Sequence, residues 1–218
     1  MNCYQKIDGA VLKSAREYDI APDTQIKAGQ VVKLTAGLVV AAAAGETGAL
    51  LGVAAEQHTG ADDALNPRSH GKKIMVWDDP DLVMQCRAPE IEVTSGTATT
   101  IVASGIATFA NDDFNGGYVK LISKAEDSTN TDEIGHVRRI TDFVAADKSF
   151  TLEDGGTPAA GDVYAVFPPI GFAKGNLNDT RTGLVLTATA SLSLKVMGHD
   201  HDLGKINLIP GKHVFAVN

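Results

Sequence analysis

Between Gly198 and Gly204 the chain reads HDHDL, so that His199, Asp200, His201 and Asp202 fill four consecutive positions. In an extended segment residues two apart share a face, which puts the two imidazoles together and the two carboxylates on the other side. Two imidazoles begin a zinc site, but a closed site takes four ligands and a catalytic one usually three. The remainder would have to come from elsewhere, and His58, His70, His136 and His213 each stand alone, without a second spaced pair. The favoured reading is a polar hairpin tip bracketed by Gly198 and Gly204, joining LSLKVM to KINLI. A metal held by His199 and His201 is the minority alternative.

The other chemistry-bearing stretches read as structure. GETGALLG, residues 45–52, has spaced glycines but no following Lys-Ser or Lys-Thr and no helical pattern, so it cannot cradle a phosphate. DDPD (78–81) and NDDFNGG (111–117) lack the spaced oxygen ligands and terminal Glu of a calcium loop and read as turns. No nucleophile elbow or other motif places a Ser or Cys for activation, so no enzyme and no cofactor is expected. Arg138 and Arg139 are adjacent; on a strand they point to opposite faces, one free to pair with an acid across the sheet. Trp77, the only tryptophan, is read as a core residue.

The elements that must position these residues are strands and turns. Short β-branched runs closed by Gly, Pro, Asn or Asp recur: QIKAGQVVKLTAGLVV, LLGVAAEQHTG, KKIMVWDDPD and LVMQCRAP. Further strands are predicted over 117–123, 136–143, 149–152 and 162–167, each bounded by turn residues. TGLVLTATASLSLKVMG alternates apolar and polar residues and predicts one long strand or two joined by a bend. KINLIPGKHVFAV then supplies its partner and a final edge strand, with Pro210 and Gly211 at the turn.

The chain has 218 residues, 44% of them hydrophobic, enough for at least one sizeable core. Its formal net charge of -8 argues against nucleic acid or an anionic membrane as partner. No stretch is long and apolar enough to span a bilayer, and the N-terminus lacks the basic start and apolar run of a secretory signal. A cytosolic site of synthesis is therefore expected, where Cys3 and Cys86 are reduced thiols without a chemical role. Composition shifts near Ala88 and again near Pro168, and the Thr-, Gly- and Asp-rich stretch between them is self-contained. The predicted fold is all-β: a β-sandwich or barrel-like base domain formed by 1–87 and 169–218, with a smaller all-β domain, 88–168, inserted into it. Within the insert the polar run 125–135 reads as the mobile tip.

The opening IKAGQVVKL with LLGVAAE, then VWDDPDLVMQCRAP and the closing VMGHDHDLGKINLIPGKHVF, resembles the head decoration (capsid cement) proteins of tailed bacteriophages. The inserted DDFNGGYVKLIS, GHVRRITDF and AAGDVYAVFPP are similar to a small β module that recurs in phage virion proteins. The resemblance implies a protein made in the host cytoplasm that binds the outer surface of the assembled head, clamps neighbouring copies of the major capsid protein, and assembles with itself as a homotrimer or a dimer. A shell-binding arm is then expected within residues 1–18, with Met1, Cys3, Tyr4, Lys6 and Tyr18 as contact residues, since a terminal segment can add a strand to a neighbour's edge. The competing reading makes this segment the first strand of the core. The alternatives in function are a tail- or fibre-associated virion protein and a metal-dependent hydrolase using His199 and His201.

Overall fold

The computed structural model describes residues 2–6, 15–22, 24–58 and 73–215, with the strand alone described for 2–6. Among these residues there is no α-helix; the fold is all-β.

Six strands close a barrel: β8 (Glu90–Gly96), β9 (Thr100–Ser104), β10 (Tyr118–Ser123), β11 (Val137–Val144), β12 (Ser149–Leu152) and β13 (Val163–Phe167). Every pairing is antiparallel, and the order β10-β11-β12-β9-β8-β13 returns to β10. Closure removes both sheet edges. Period-two alternation sends Ile91, Val93, Val119, Leu121, Phe150 and Leu152 inward, all buried. In β11 the register shifts between Ile140 and Asp142. The bulge changes which face the chain presents, so that Phe143 rather than Asp142 is buried after Arg138 and Ile140.

Phe114, carried on the turn before β10, fills the end of this interior. Its ring packs 4.8–5.2 Å from those of Phe109, Phe143, Phe150 and Phe172. Such pairs each add about 0.5–1.5 kcal/mol beyond the area they bury.

The strands outside the barrel form three further sheets. β1 (Asn2–Lys6), β7 (Leu82–Arg87), β17 (Lys205–Pro210) and β16 (Leu194–Asp200) make a four-stranded sheet in that order. β7 leads into the barrel and β16–β17 follows it, so one sheet holds the strands on both sides of the barrel segment. β2 (Arg16–Asp19), β6 (Lys73–Trp77), β5 (Gly52–Ala54), β3 (Val31–Thr35) and β4 (Leu38–Ala41) make a five-stranded sheet in that order. It curls until its ends meet, through a parallel bridge between Ile20 and Val39. The β3–β4 hairpin turns on Ala36 and Gly37, with φ of 51° and 82°, the two left-handed residues of a type I′ turn. β14 (Asn176–Leu177) and β15 (Leu184–Val185) form a small pair.

One buried cluster runs without a break from the barrel interior into the four-stranded sheet, through Leu82, Met84, Leu194, Val196, Ile206 and Leu208. A second, with Ile20, Ile26, Val32, Val39, Leu51 and Ile74, fills the five-stranded sheet. The alternation expected across 182–198 appears in burial at Leu184, Leu186, Leu192, Leu194 and Val196, but it lapses between them, where Ala188 is half-buried and Ala190 exposed. Named strands cover its two ends, β15 and β16, and an antiparallel bridge from Ser191 to Lys174 lies between them. After Pro210, where a final edge strand is expected, the described residues to 215 make one bridge, between His213 and Leu50.

Candidate functional site

The HDHD stretch is a hairpin tip, and it docks on the barrel. β16 ends at Asp200, residues 201–204 turn, and β17 begins at Lys205. The register shifts between Val196 and Gly198, and from there His199 lies opposite Ile206. The two imidazoles do share a side: their rings stack 5.5 Å apart with 20° between the planes.

Both rings lie against Tyr118 of β10 and Phe167 of β13, with centroids 4.7–5.9 Å apart. These two residues point out of the barrel, because their neighbours Val119 and Val166 point in. The histidines thus fill the seam between the barrel and the four-stranded sheet. His199 Nε2 donates to the Pro168 carbonyl at 2.6 Å, so that nitrogen carries its proton. Lys120 Nζ donates to the carbonyls of His201 and Asp202, at 2.6 and 3.2 Å. The Ala88 N–H donates to the Gly204 carbonyl at 3.0 Å.

This environment favours neutral imidazole. Burial lowers the pKa of His199, partly offset by the Pro168 carbonyl. Burial also lowers that of His201, helped by His199 and Lys120 and opposed by Asp202 and Asp200. Two unit charges 5.5 Å apart would repel by roughly 3 kcal/mol at an effective dielectric constant of about 20, so the pair does not charge together readily. As a metal site the arrangement is incomplete: among the described residues no three His, Cys, Asp or Glu side chains lie together as a ligand group. The His199 nitrogen that faces the protein is already a donor.

A second polar centre lies inside the barrel. Arg138 points inward and is 2% exposed. Its Nη2 ion-pairs with Asp132 and donates to the Gly155 carbonyl at 2.8 Å, while Nη1 donates to the Asp154 carbonyl at 2.7 Å. Arg139 faces outward, as adjacent strand residues must. Beside this pair Asn130 Nδ2 donates to Asp162 Oδ2 and to the Tyr164 hydroxyl, both at 2.8 Å. Asp162 also accepts from the N–H groups of Ala125 and Ala159, each at 3.0 Å. Burial would raise the Asp162 pKa, but these hydrogen bonds outweigh it and hold the carboxyl below its ordinary value. The run 125–135, read from its composition as a mobile tip, is therefore tied down: Asn130 is buried and its side chain closes the network.

Of the expected shell-contact residues, Met1 and the side chains of Cys3, Tyr4 and Lys6 lie outside the described residues. The backbone of Cys3 and Lys6 is paired in β1, opposite Met84 and Leu82 of β7. Tyr18 stands in β2, its ring against the second core and its hydroxyl donating to Asp78. Burial, then Asp78, pushes that phenol up to about 12. Cys86 is buried in β7, and burial pushes its thiol up to about 11, so it is held as the unreactive thiol form.

Sequence reasoning did not find the seam or the Asn130–Asp162–Tyr164 network. The partners are remote in the chain, and only the alternation that sends Tyr118 and Phe167 outward hints at a covered outer face. A polar cleft of about 300 Å³ lies beside Ile26, Lys27, Gln30, Asp179 and Thr180. Gln30 there is spent on the fold, accepting from the Lys27 N–H and donating to the Thr180 carbonyl, each at 2.8 Å.

Comparison with known proteins finds no matching family model, no similar curated protein and no similar solved structure.

Proposed function

We propose that this chain is a structural protein of a phage virion, a cement that binds the outer surface of the assembled head and clamps adjacent copies of the major capsid protein. The reading rests on the resemblance of the base motifs to head decoration proteins and of the insert motifs to a small β module of phage virion proteins. The observation that carries it furthest is the position of β1 at the outer edge of the four-stranded sheet, where among the described residues it pairs only with β7. An edge strand offers a row of backbone donors and acceptors to which a shell subunit can add a strand.

The mechanism is mechanical. Surface buried across neighbouring subunits stabilises the assembled shell and adds nothing to the separated ones. Repetition over the lattice multiplies modest individual contacts, more so if the protein is itself a trimer or a dimer. The barrel, carried between β7 and β16 of the same sheet, would project from the head surface.

The test is the copy number of this protein in purified particles, measured against the major capsid protein. A ratio near one to one is expected. A few copies per particle would assign it to the tail or fibre instead, and absence from particles would end the virion reading. Removal of residues 1–6 should abolish binding to expanded, undecorated heads; full binding would take the contact away from β1.

A further inference from the structure

The tip His201–Gly204 is held on the barrel by few contacts, and those contacts surround two imidazoles. Among the described residues, the two donations from Lys120 and the one from Ala88 to Gly204 are its hydrogen bonds to the rest of the seam, with that of His199 to Pro168 beside them. The charged and titratable groups around the rings come from four strands. β10 contributes Lys120 and the phenol of Tyr118. β13 and its exit contribute only Phe167 and Pro168. The hairpin supplies Asp200, Asp202 and Lys205, and β7 supplies Arg87, opposite Lys205 in register and paired with Glu90 at 4.0 Å.

Neither imidazole hydrogen-bonds a carboxylate. Asp200 Oδ1 instead accepts the Leu203 N–H at 3.0 Å within the turn. His201 Nε2 is buried without a hydrogen-bond partner. A proton placed there would create a charged donor with no acceptor, beside the Lys120 ammonium and face to face with a second imidazole.

We propose that this seam is an acid-sensitive latch, closed while His199 and His201 are both neutral and opened when one of them takes a proton, which frees the hairpin tip from the barrel face made by Tyr118 and Phe167. The switch lies on the outer face of the barrel, where the hairpin of the four-stranded sheet meets it, so opening it frees the tip while the buried cluster that the barrel shares with that sheet stays intact. It stands on the chain's own contacts and holds whether or not the protein decorates a head.

Hydrogen exchange on the full chain tests it. Between about pH 7.5 and about pH 5, protection of the amides of 199–204, corrected for intrinsic rates, should fall roughly tenfold or more, and by a larger factor than that of Ile140 and Phe150 in the barrel. In the double variant His199→Gln, His201→Gln the glutamine amide at 199 can still donate to Pro168, and protection should no longer depend on pH. Unchanged protection in the natural chain, or the same loss in the double variant, overturns the latch. Should that variant not fold, the imidazole proton shifts of the natural chain decide. Both rings must titrate below the ordinary histidine value of about 6.5, together with loss of the ring-current shifts from Tyr118 and Phe167. Titration at or above that value also overturns it.

Discussion

Gly156 and Arg138 lie so close that no side chain fits between them: a Cβ built on Gly156 would overlap the guanidinium of Arg138. The guanidinium cannot swing aside cheaply, since Nη1 and Nη2 are engaged by the carbonyls of Asp154 and Gly155 and by Asp132. Gly156→Ala should therefore cost about 1–3 kcal/mol, the usual penalty of overpacking a filled interior. Urea denaturation of the variant measures it. As a control, Gly105→Ala, which meets nothing within 4 Å, should lose only what its positive φ of 75° imposes.

Arg138 sits at an inward barrel position that would ordinarily carry an apolar side chain, and Asp132 reaches it from the loop between β10 and β11. The two side chains are 1% and 9% exposed, and Arg138 Nε and Asp132 Oδ2 have no hydrogen-bond partner. Removing one partner strands the other, so Arg138→Ala should cost about 3–5 kcal/mol. Replacing both, as Arg138→Met with Asp132→Leu, should recover most of that loss, because desolvation of two charges offsets much of their attraction. A double-mutant cycle by denaturation measures both. Equal destabilisation in the single and double variants would mean that the carbonyls of Asp154 and Gly155, rather than the ion pair, depend on the arginine.

How much of this was legible follows the range of the interactions. The last four barrel strands were readable from local alternation bounded by turns, and their observed limits differ from the expected ones by about a residue. β8 and β9 were not singled out, because Thr, Ser and Gly dilute the apolar positions Ile91, Val93, Ile101 and Ala103 in that stretch. The hairpin tip was readable for the same local reason as the four strands, from Gly198, Gly204 and the polar run between them. Its docking was not, since Tyr118 and Phe167 reach it only through barrel closure. Composition misled at 125–135, where a polar run conceals Asn130, whose burial is decided by Asp162 and Tyr164 far along the chain.

Asp162 ties that polar run to the barrel, and acid should undo it. Its folded pKa is lowered, so its contribution to stability is complete above the unfolded value of about 3.9 and is lost as pH falls through the folded value. Asp162→Asn turns an acceptor into a donor facing the N–H groups of Ala125 or Ala159 and should cost about 1–3 kcal/mol at neutral pH. The difference in stability between the variant and the natural chain should shrink below about pH 4, where the carboxyl begins to protonate in the unfolded chain. Thermal denaturation at several pH values follows this directly.

His213 gives the same kind of dependence in the opposite direction of charge, and at a different place. Its Nε2 donates to the Leu51 carbonyl at 2.7 Å, joining the segment after β17 to the five-stranded sheet. Burial lowers its pKa, against the hydrogen bond to Leu51 and the more distant Asp78, Asp79 and Asp81. A group whose folded pKa is lowered below the unfolded one takes up a proton more readily when unfolded. Stability is then complete above about pH 6.5 and falls as pH drops from there toward the lowered folded value. The natural chain should accordingly have a lower Tm at about pH 5.5 than at about pH 7.5. His213→Gln can keep the donation to Leu51 and should remove part of that difference while leaving the part due to His199 and His201. A variant with the full pH dependence of the natural chain would show that His213 is equally protonated in both states.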